Sequence, residues 1–278
     1  MRYLDPKNNL TFKRIFGEHP HLLKSFLNAV MPLAEGKKIV SLEYLPAELV
    51  PEIPRFGNSI VYIQCLDEKG EQFIVEIQML WTNSFKSRIL FNASKAYIKQ
   101  VGRGVQYKGL QPVYSLNIIN ENFDDKPDTY IHHYQLIHTQ DCEKVMEGLE
   151  FVFIELPKFK AKKYTDKKLQ VLWLRFLSEI NDMQEEISPD FLDVPELKEA
   201  SDLILESGFT KGELETYDKY WDYISTEKTI KADAFDKGIE QGIEQEKSAI
   251  ARNLKKLGIS NSAISKATGL SEQEIESL

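Results

Sequence analysis

Glu76 is the residue whose type and setting most suggest chemistry. It lies in Phe73-Ile74-Val75-Glu76-Ile77-Gln78, a β-rich run that sets a carboxylate among apolar side chains. Such a carboxylate either faces water from a half-buried sheet or is compensated by a partner such as a metal ion. Alternate residues of a strand share a face, so Glu76 and Gln78 present two oxygen-bearing side chains together. On spacing alone there are two readings, an ordinary amphipathic strand and one wall of a divalent-cation site. The histidines offer less. His132 and His138 would share a strand face and His133 would not, and six residues of strand is too far for one metal.

The second constellation is basic. Trp81 to Asn120 contains no Asp or Glu but six cations, among them Lys86, Arg88, Lys95 and Lys99. Lys95 and Lys99 are one helical turn apart and share a face. These cations are candidates for phosphate contacts, which dominate affinity for nucleic acid. A plainly solvated helix is the alternative. From Asn181 to Ile250 the balance reverses, with 19 acidic residues against 7 lysines. That stretch carries −12 of the formal net charge of −8, so the other 208 residues sum to +4. A polyanion should therefore meet the N-terminal body.

These residues need positioning elements. Leu22, Leu23, Phe26, Leu27 and Val30 form a helical stripe within His21 to Val30. Val40, Leu42 and Tyr44 alternate as in a short strand, and Pro46 to Pro54 reads as a connector. Ile60 to Leu66 and Gln72 to Leu80 flank the five-residue loop Asp67-Glu68-Lys69-Gly70-Glu71, a hairpin signature. If Leu66 pairs with Gln72, Tyr62 faces Glu76, and Tyr62, Gln64, Glu76 and Gln78 share one side. A helix follows over Asn83 to Val101, with Phe85, Ile89, Ala93 and Ala96 inward and Gly102 and Gly104 at its end. Val113 to Ile119 reads as the next strand. The order to this point is α-β-β-β-α-β.

Further on, Tyr130 to Ile137 and Phe151 to Leu156 read as strands, and Lys168 to Ile180 and Leu197 to Leu205 as helices. Glu213 to Leu257 reads as one long charged helix with a break allowed near Ser225. It contains the repeat Gly238-Ile239-Glu240-Gln241, Gly242-Ile243-Glu244-Gln245. Two glycines on one face permit close helix–helix approach, so the tail is a candidate route to a homo-oligomer. The last residues suggest two short helices around Thr268-Gly269. The second, Ser271 to Leu278, has three glutamates and no cation, which suits protein packing better than a DNA groove.

Composition sets the outer limits. The 278 residues, 42% apolar, can bury a core without disulfides, and two cysteines, Cys65 and Cys142, exclude a disulfide scaffold. No stretch approaches the roughly 18 uncharged apolar residues of a membrane span. The start, MRYLDPKNNL, lacks the apolar run of a signal peptide. The expectation is a soluble, cytoplasmic protein without a membrane partner.

Several separated segments share one likeness. Pro6-Lys7-Asn8-Asn9-Leu10-Thr11-Phe12-Lys13-Arg14-Ile15-Phe16-Gly17 resembles the N-terminal signature of the Rpn family, the recombination-promoting nucleases and transposase-like proteins. Phe73 to Gln78 resembles that family's second motif. Phe85-Lys86-Ser87-Arg88 and Gly104 to Tyr114 resemble further blocks, and the glycine repeat with Thr268-Gly269-Leu270-Ser271 is similar to its usual C-terminal end. The resemblance implies an α/β fold of the PD-(D/E)XK nuclease superfamily. The nuclease-like core would occupy residues 1–125 and an α+β elaboration 126–210. A helical tail with a reduced helix-turn-helix-like end would occupy 211–278.

The resemblance also implies chemistry. In such nucleases an Asp on one hairpin strand and an acid on the next hold Mg²⁺ or Mn²⁺, which stabilises phosphodiester charge and acidifies bound water. DNA is the implied substrate. Glu76 matches the second acid, and Gln78 stands where the superfamily lysine would be, a replacement the family commonly shows. The first acid falls on Tyr62, a poor magnesium ligand at neutral pH. Asp67 lies roughly 16 Å further along an extended strand. The expectation is a nuclease fold with impaired or absent endonuclease activity; the alternative is a catalytically silent DNA-binding or protein-assembly module.

Overall fold

A computed structural model describes residues 2–33, 36–45, 60–82, 84–101, 106–161, 168–182 and 184–278. The expected connector at Pro46 to Pro54, the helix-ending Gly102 and Gly104, and Arg103 lie outside the described residues. The chain divides into two compact units, Met1–Ile224 and Ser225–Leu278.

The first unit begins with helices α1 (Asn9–Phe12) and α2 (Pro20–Val30), joined by a π-type turn over Lys13–Gly17. The short strand β1 (Leu42–Tyr44) precedes β2 (Ile60–Asp67) and β3 (Gln72–Gln78), then helix α3 (Phe85–Lys99) and strand β4 (Val113–Ile119). β5 (Ile131–His138) and β6 (Asp141–Glu155) complete a six-stranded sheet of order β1-β2-β3-β4-β6-β5. The β2–β3 hairpin has the register expected from its loop: Leu66 opposes Gln72, Gln64 opposes Ile74 and Tyr62 opposes Glu76. Asp67 organises that turn, its Oδ1 accepting from the Lys69 and Glu71 amides at 2.9 and 2.8 Å. Gly70 takes φ +81°, where a side chain would strain.

β3 and β4 are buried along their whole length, because helices cover both faces of the sheet. On one face Phe73, Val75, Ile77, Leu116 and Ile118 join the main core with α1, α2 and α4 (Leu169–Glu179). Phe16, Phe26 and Trp173 interlock there with ring centroids 4.9 to 5.6 Å apart. On the other face α3 lays Ala93 and Ala96 on Ile74 and Val113, and Phe85 and Ile89 on Ile119 and Phe153. The four α3 residues read as an inward stripe are therefore its buried contacts.

The N-terminal Pro-Lys-Asn segment works as a latch. Lys7 is buried beside Asp5 at 2.8 Å, and its Nζ donates to the carbonyls of Leu177 and Ile180 at the end of α4. Asn8 Nδ2 donates to the Tyr217 carbonyl at 3.2 Å.

Three elements depart from the expected bounds. β6 starts at Asp141, ten residues before the expected Phe151, after a two-residue turn from β5. Its leading half, Asp141 to Glu147, is polar and largely exposed, so no apolar alternation marks it. Helix α6 (Pro195–Leu203) starts and ends two residues before the expected Leu197 to Leu205, and an additional short helix, α5 (Pro189–Leu192), precedes it, with Val194 extended between them. Lys211–Lys256 (α7) is one helix without a break at Ser225. Among the described residues no helix is long and apolar enough to cross a membrane.

In the second unit, α7 beyond Ser225 is followed by α8 (Asn261–Thr268) and α9 (Glu272–Ser277). Ser260 and Ser271 cap these two, and Ser271 forms a reciprocal capping box with Glu274. Ala251, Ile264 and Ile275 form a small core that ties the pair back onto α7.

Candidate active site

Glu76 sits in the middle of β3, between Tyr62 on β2 and Asn117 on β4 in the strand registers. Its face of the sheet lies beneath α3, so the carboxylate has no exposed surface. A buried carboxylate needs compensation, and α3 supplies it. Arg88, one turn into that helix, donates from Nη2 to Glu76 Oε1 at 2.5 Å and to Gln78 Oε1 at 3.0 Å. Gln78 in turn donates from Nε2 to the Leu80 carbonyl at 2.7 Å. Glu76 Oε2 has no hydrogen-bond partner among the described residues.

One guanidinium bond does not offset complete burial. Desolvation pushes the Glu76 carboxyl from 4.5 up to about 7, although the charge and hydrogen bond of Arg88 pull the other way. Glu155, at the end of β6, is the instructive contrast. It too is fully buried, but it accepts from the Phe123 amide at 2.6 Å, His132 at 2.7 Å and Lys158 at 2.8 Å. Burial pushes its carboxyl up, and those donors outweigh it and leave it below the ordinary value. Full satisfaction marks a structural carboxylate; Glu76 has half of it.

The other candidate residues are placed as follows. Lys86 is exposed, its Nζ 4.8 Å from the centroid of Phe123, 5.7 Å from Tyr134 and 5.9 Å from Trp81, a cation over aromatic faces. Lys95 lies 5.1 Å from the Phe91 ring, and Lys99 is exposed in the last turn of α3. Arg88, read as a phosphate contact, is joined to Glu76 and Gln78. The backbone of Tyr62 opposes Glu76 as expected. His132 and His133 engage different carboxylates, Glu155 and Glu150.

Sequence reasoning missed one pairing and one buried polar side chain. The sequence reads Arg88 as a candidate phosphate contact, and its bond to Glu76 is not legible there, although it directly precedes the inward-facing Ile89. Asn92 falls on the buried stripe and is itself buried, with Nδ2 unpaired. A polar residue in phase with Phe85, Ile89 and Ala96 was the signal that could have found it.

The donor set does not fit a divalent cation. Among the described residues Glu76 is the carboxylate at this site, its Oε1 already bound to a guanidinium, and the fixed positive charge of Arg88 opposes a cation there. Among the described residues no group of three or more His, Cys, Asp or Glu could hold a metal.

A six-stranded mixed sheet covered by helices, with an acid buried at mid-strand, makes this a mixed α/β protein, consistent with a nuclease-like fold. The chain matches the PD-(D/E)XK nuclease family transposases over residues 6–234, and it belongs to that family. No curated protein and no solved structure matches it.

Proposed function

We propose that the chain is a cytoplasmic, Rpn-type, DNA-acting member of its family in which Mg²⁺- or Mn²⁺-dependent phosphodiester hydrolysis is impaired. One observation carries this reading: the Glu76 carboxylate is tied to Arg88, and its cross-strand position is occupied by Tyr62 rather than an acid. Tyr62 removes one carboxylate from the implied pair, and Arg88 fills with a side chain the charge role a cation would have.

Plasmid cleavage with Mg²⁺ and with Mn²⁺ tests it. The natural chain should cut weakly or not at all, Glu76→Ala should change little, and Tyr62→Asp combined with Arg88→Ala should gain cleavage that neither change gives alone. Robust metal-dependent cutting by the natural chain, abolished by Glu76→Ala, would overturn the proposal.

Contact with DNA is the second part of the reading, supported by the run of cations around α3. Affinity for duplex DNA is expected to fall at least about tenfold between 50 and 200 mM salt. The Lys95→Glu, Lys99→Glu double variant should weaken binding further and flatten that dependence. A salt-insensitive affinity would point instead to a protein-interacting module.

A further inference from the structure

The second unit exposes apolar side chains that its own small core does not use. Phe235, Ile239, Ile243, Ile250 and Leu257 are 45 to 76% exposed. At 100° per residue they fall within a sector of about 80° on α7 and its first following residue, Leu257. The cluster formed by this unit comprises Ala251, Leu254, Ile264, Leu270, Ile275 and Leu278. Among the described residues, Phe235, Ile239 and Ile243 belong to no apolar cluster. Helices in proteins draw most of their stability from packing an amphipathic face, and this stripe is uncovered.

The stripe also says what the partner is. With Glu246 and the half-buried Leu254 included, its spacings are 4, 4, 3, 4, 4 and 3. Read backwards from Leu257, almost the same positions recur, so a two-fold axis near residues 246 and 247 sets Ile243 against Ile250 and Ile239 against Leu254. Charge obeys the same operation. Residues 233–246 hold five acids and one lysine, net −4, whereas residues 247–256 hold four cations and no acid, net +4. Antiparallel pairing lays each acidic half along the basic half of its mate; parallel pairing sets acid on acid and base on base. At Gly238 and Gly242, on the border of the stripe, an added Cβ would meet nothing within 4 Å, so a second backbone can come close.

We propose that two copies of this chain pair through α7 in antiparallel fashion, about a two-fold axis near Glu246 and Lys247. This pairing is independent of the cleavage chemistry.

Sedimentation of the full chain tests it. A species of twice the 32.1 kDa chain mass is expected at micromolar concentration. The Ile239→Glu, Ile243→Glu double variant should be monomeric with an unchanged far-ultraviolet circular dichroism spectrum. Phe91→Glu, Ile98→Glu, on the exposed face of α3, should remain dimeric. Lys247→Glu, Arg252→Glu, Lys256→Glu should weaken pairing at least tenfold, because acid then meets acid. Orientation is read by oxidative cross-linking in a Cys142→Ser background. Phe235→Cys chains alone should not cross-link, and a mixture of Phe235→Cys with Leu257→Cys chains should. A monomeric natural chain, a dimer that survives the Ile239 and Ile243 changes, or efficient self-cross-linking of Phe235→Cys would each overturn the proposal.

Discussion

Replacing Arg88 with methionine is expected to destabilise the protein by roughly 1 to 2 kcal/mol at pH 8, because the buried Glu76 carboxyl must then hold a proton that Arg88 lets it release. Methionine keeps much of the volume, so the loss is electrostatic rather than a cavity. Adding Glu76→Gln to Arg88→Met should recover most of that stability, since the charge then disappears with its partner. Urea denaturation of the two single variants and the double variant gives the coupling energy directly. The cost should shrink at pH 5, where Glu76 is protonated with or without Arg88. A cost below about 1 kcal/mol at pH 8 would mean that the pair behaves like an exposed one.

The second large effect follows from the same carboxyl. Its folded-state value is raised to about 7 from 4.5, so the folded state holds a proton that the unfolded state has released. The sign is fixed by that difference. This contribution is fully present below pH 4.5 and is lost as pH rises towards about 7. The shift corresponds to a loss of roughly 3 kcal/mol across the window. Glu76→Gln has no such proton, so the difference in stability between the natural protein and Glu76→Gln should move in the variant's favour from pH 4.5 to 7.5. Parallel stability curves would show that Glu76 titrates normally. Glu155 runs the other way: its lowered value adds stability that is lost as pH falls, so the two buried glutamates pull the profile in opposite senses.

How much of this was legible in the chain depended on the range of the physics involved. The β2–β3 register rests on loop length and a period of two, both local, and Tyr62 opposite Glu76 could be read from them. The buried stripe of α3 is equally local. What Arg88 touches depends on how far along β3 that helix sits, and no periodicity encodes this. The early start of β6 was hidden for a different reason. Asp141 to Glu147 is held by pairing with β5 across a tight turn, not by burial, so its residues carry no apolar pattern. The continuity of α7 shows the reverse. Ser225 is a weak helix former, but one such residue costs only a few tenths of a kcal/mol against a helix this long.

Arg88 also changes the meaning of Gln78. Beside a metal, a glutamine in place of the usual lysine would be one lost helper. Here its carbonyl oxygen shares the guanidinium with Glu76, and the three side chains are joined under α3. In this arrangement Arg88 supplies the positive charge beside Glu76, while Glu76 Oε2 stays without a partner among the described residues. Restoring a metal cation would need both a second acid and the release of Glu76 from Arg88.

The most direct test of that claim is Mn²⁺ binding by the full chain, followed by electron paramagnetic resonance. The natural chain and Glu76→Ala should bind the same, weakly, while Tyr62→Asp combined with Arg88→Ala should gain a tight site that Glu76→Ala removes. A tight Mn²⁺ site already present in the natural chain, and lost with Glu76→Ala, would contradict the account.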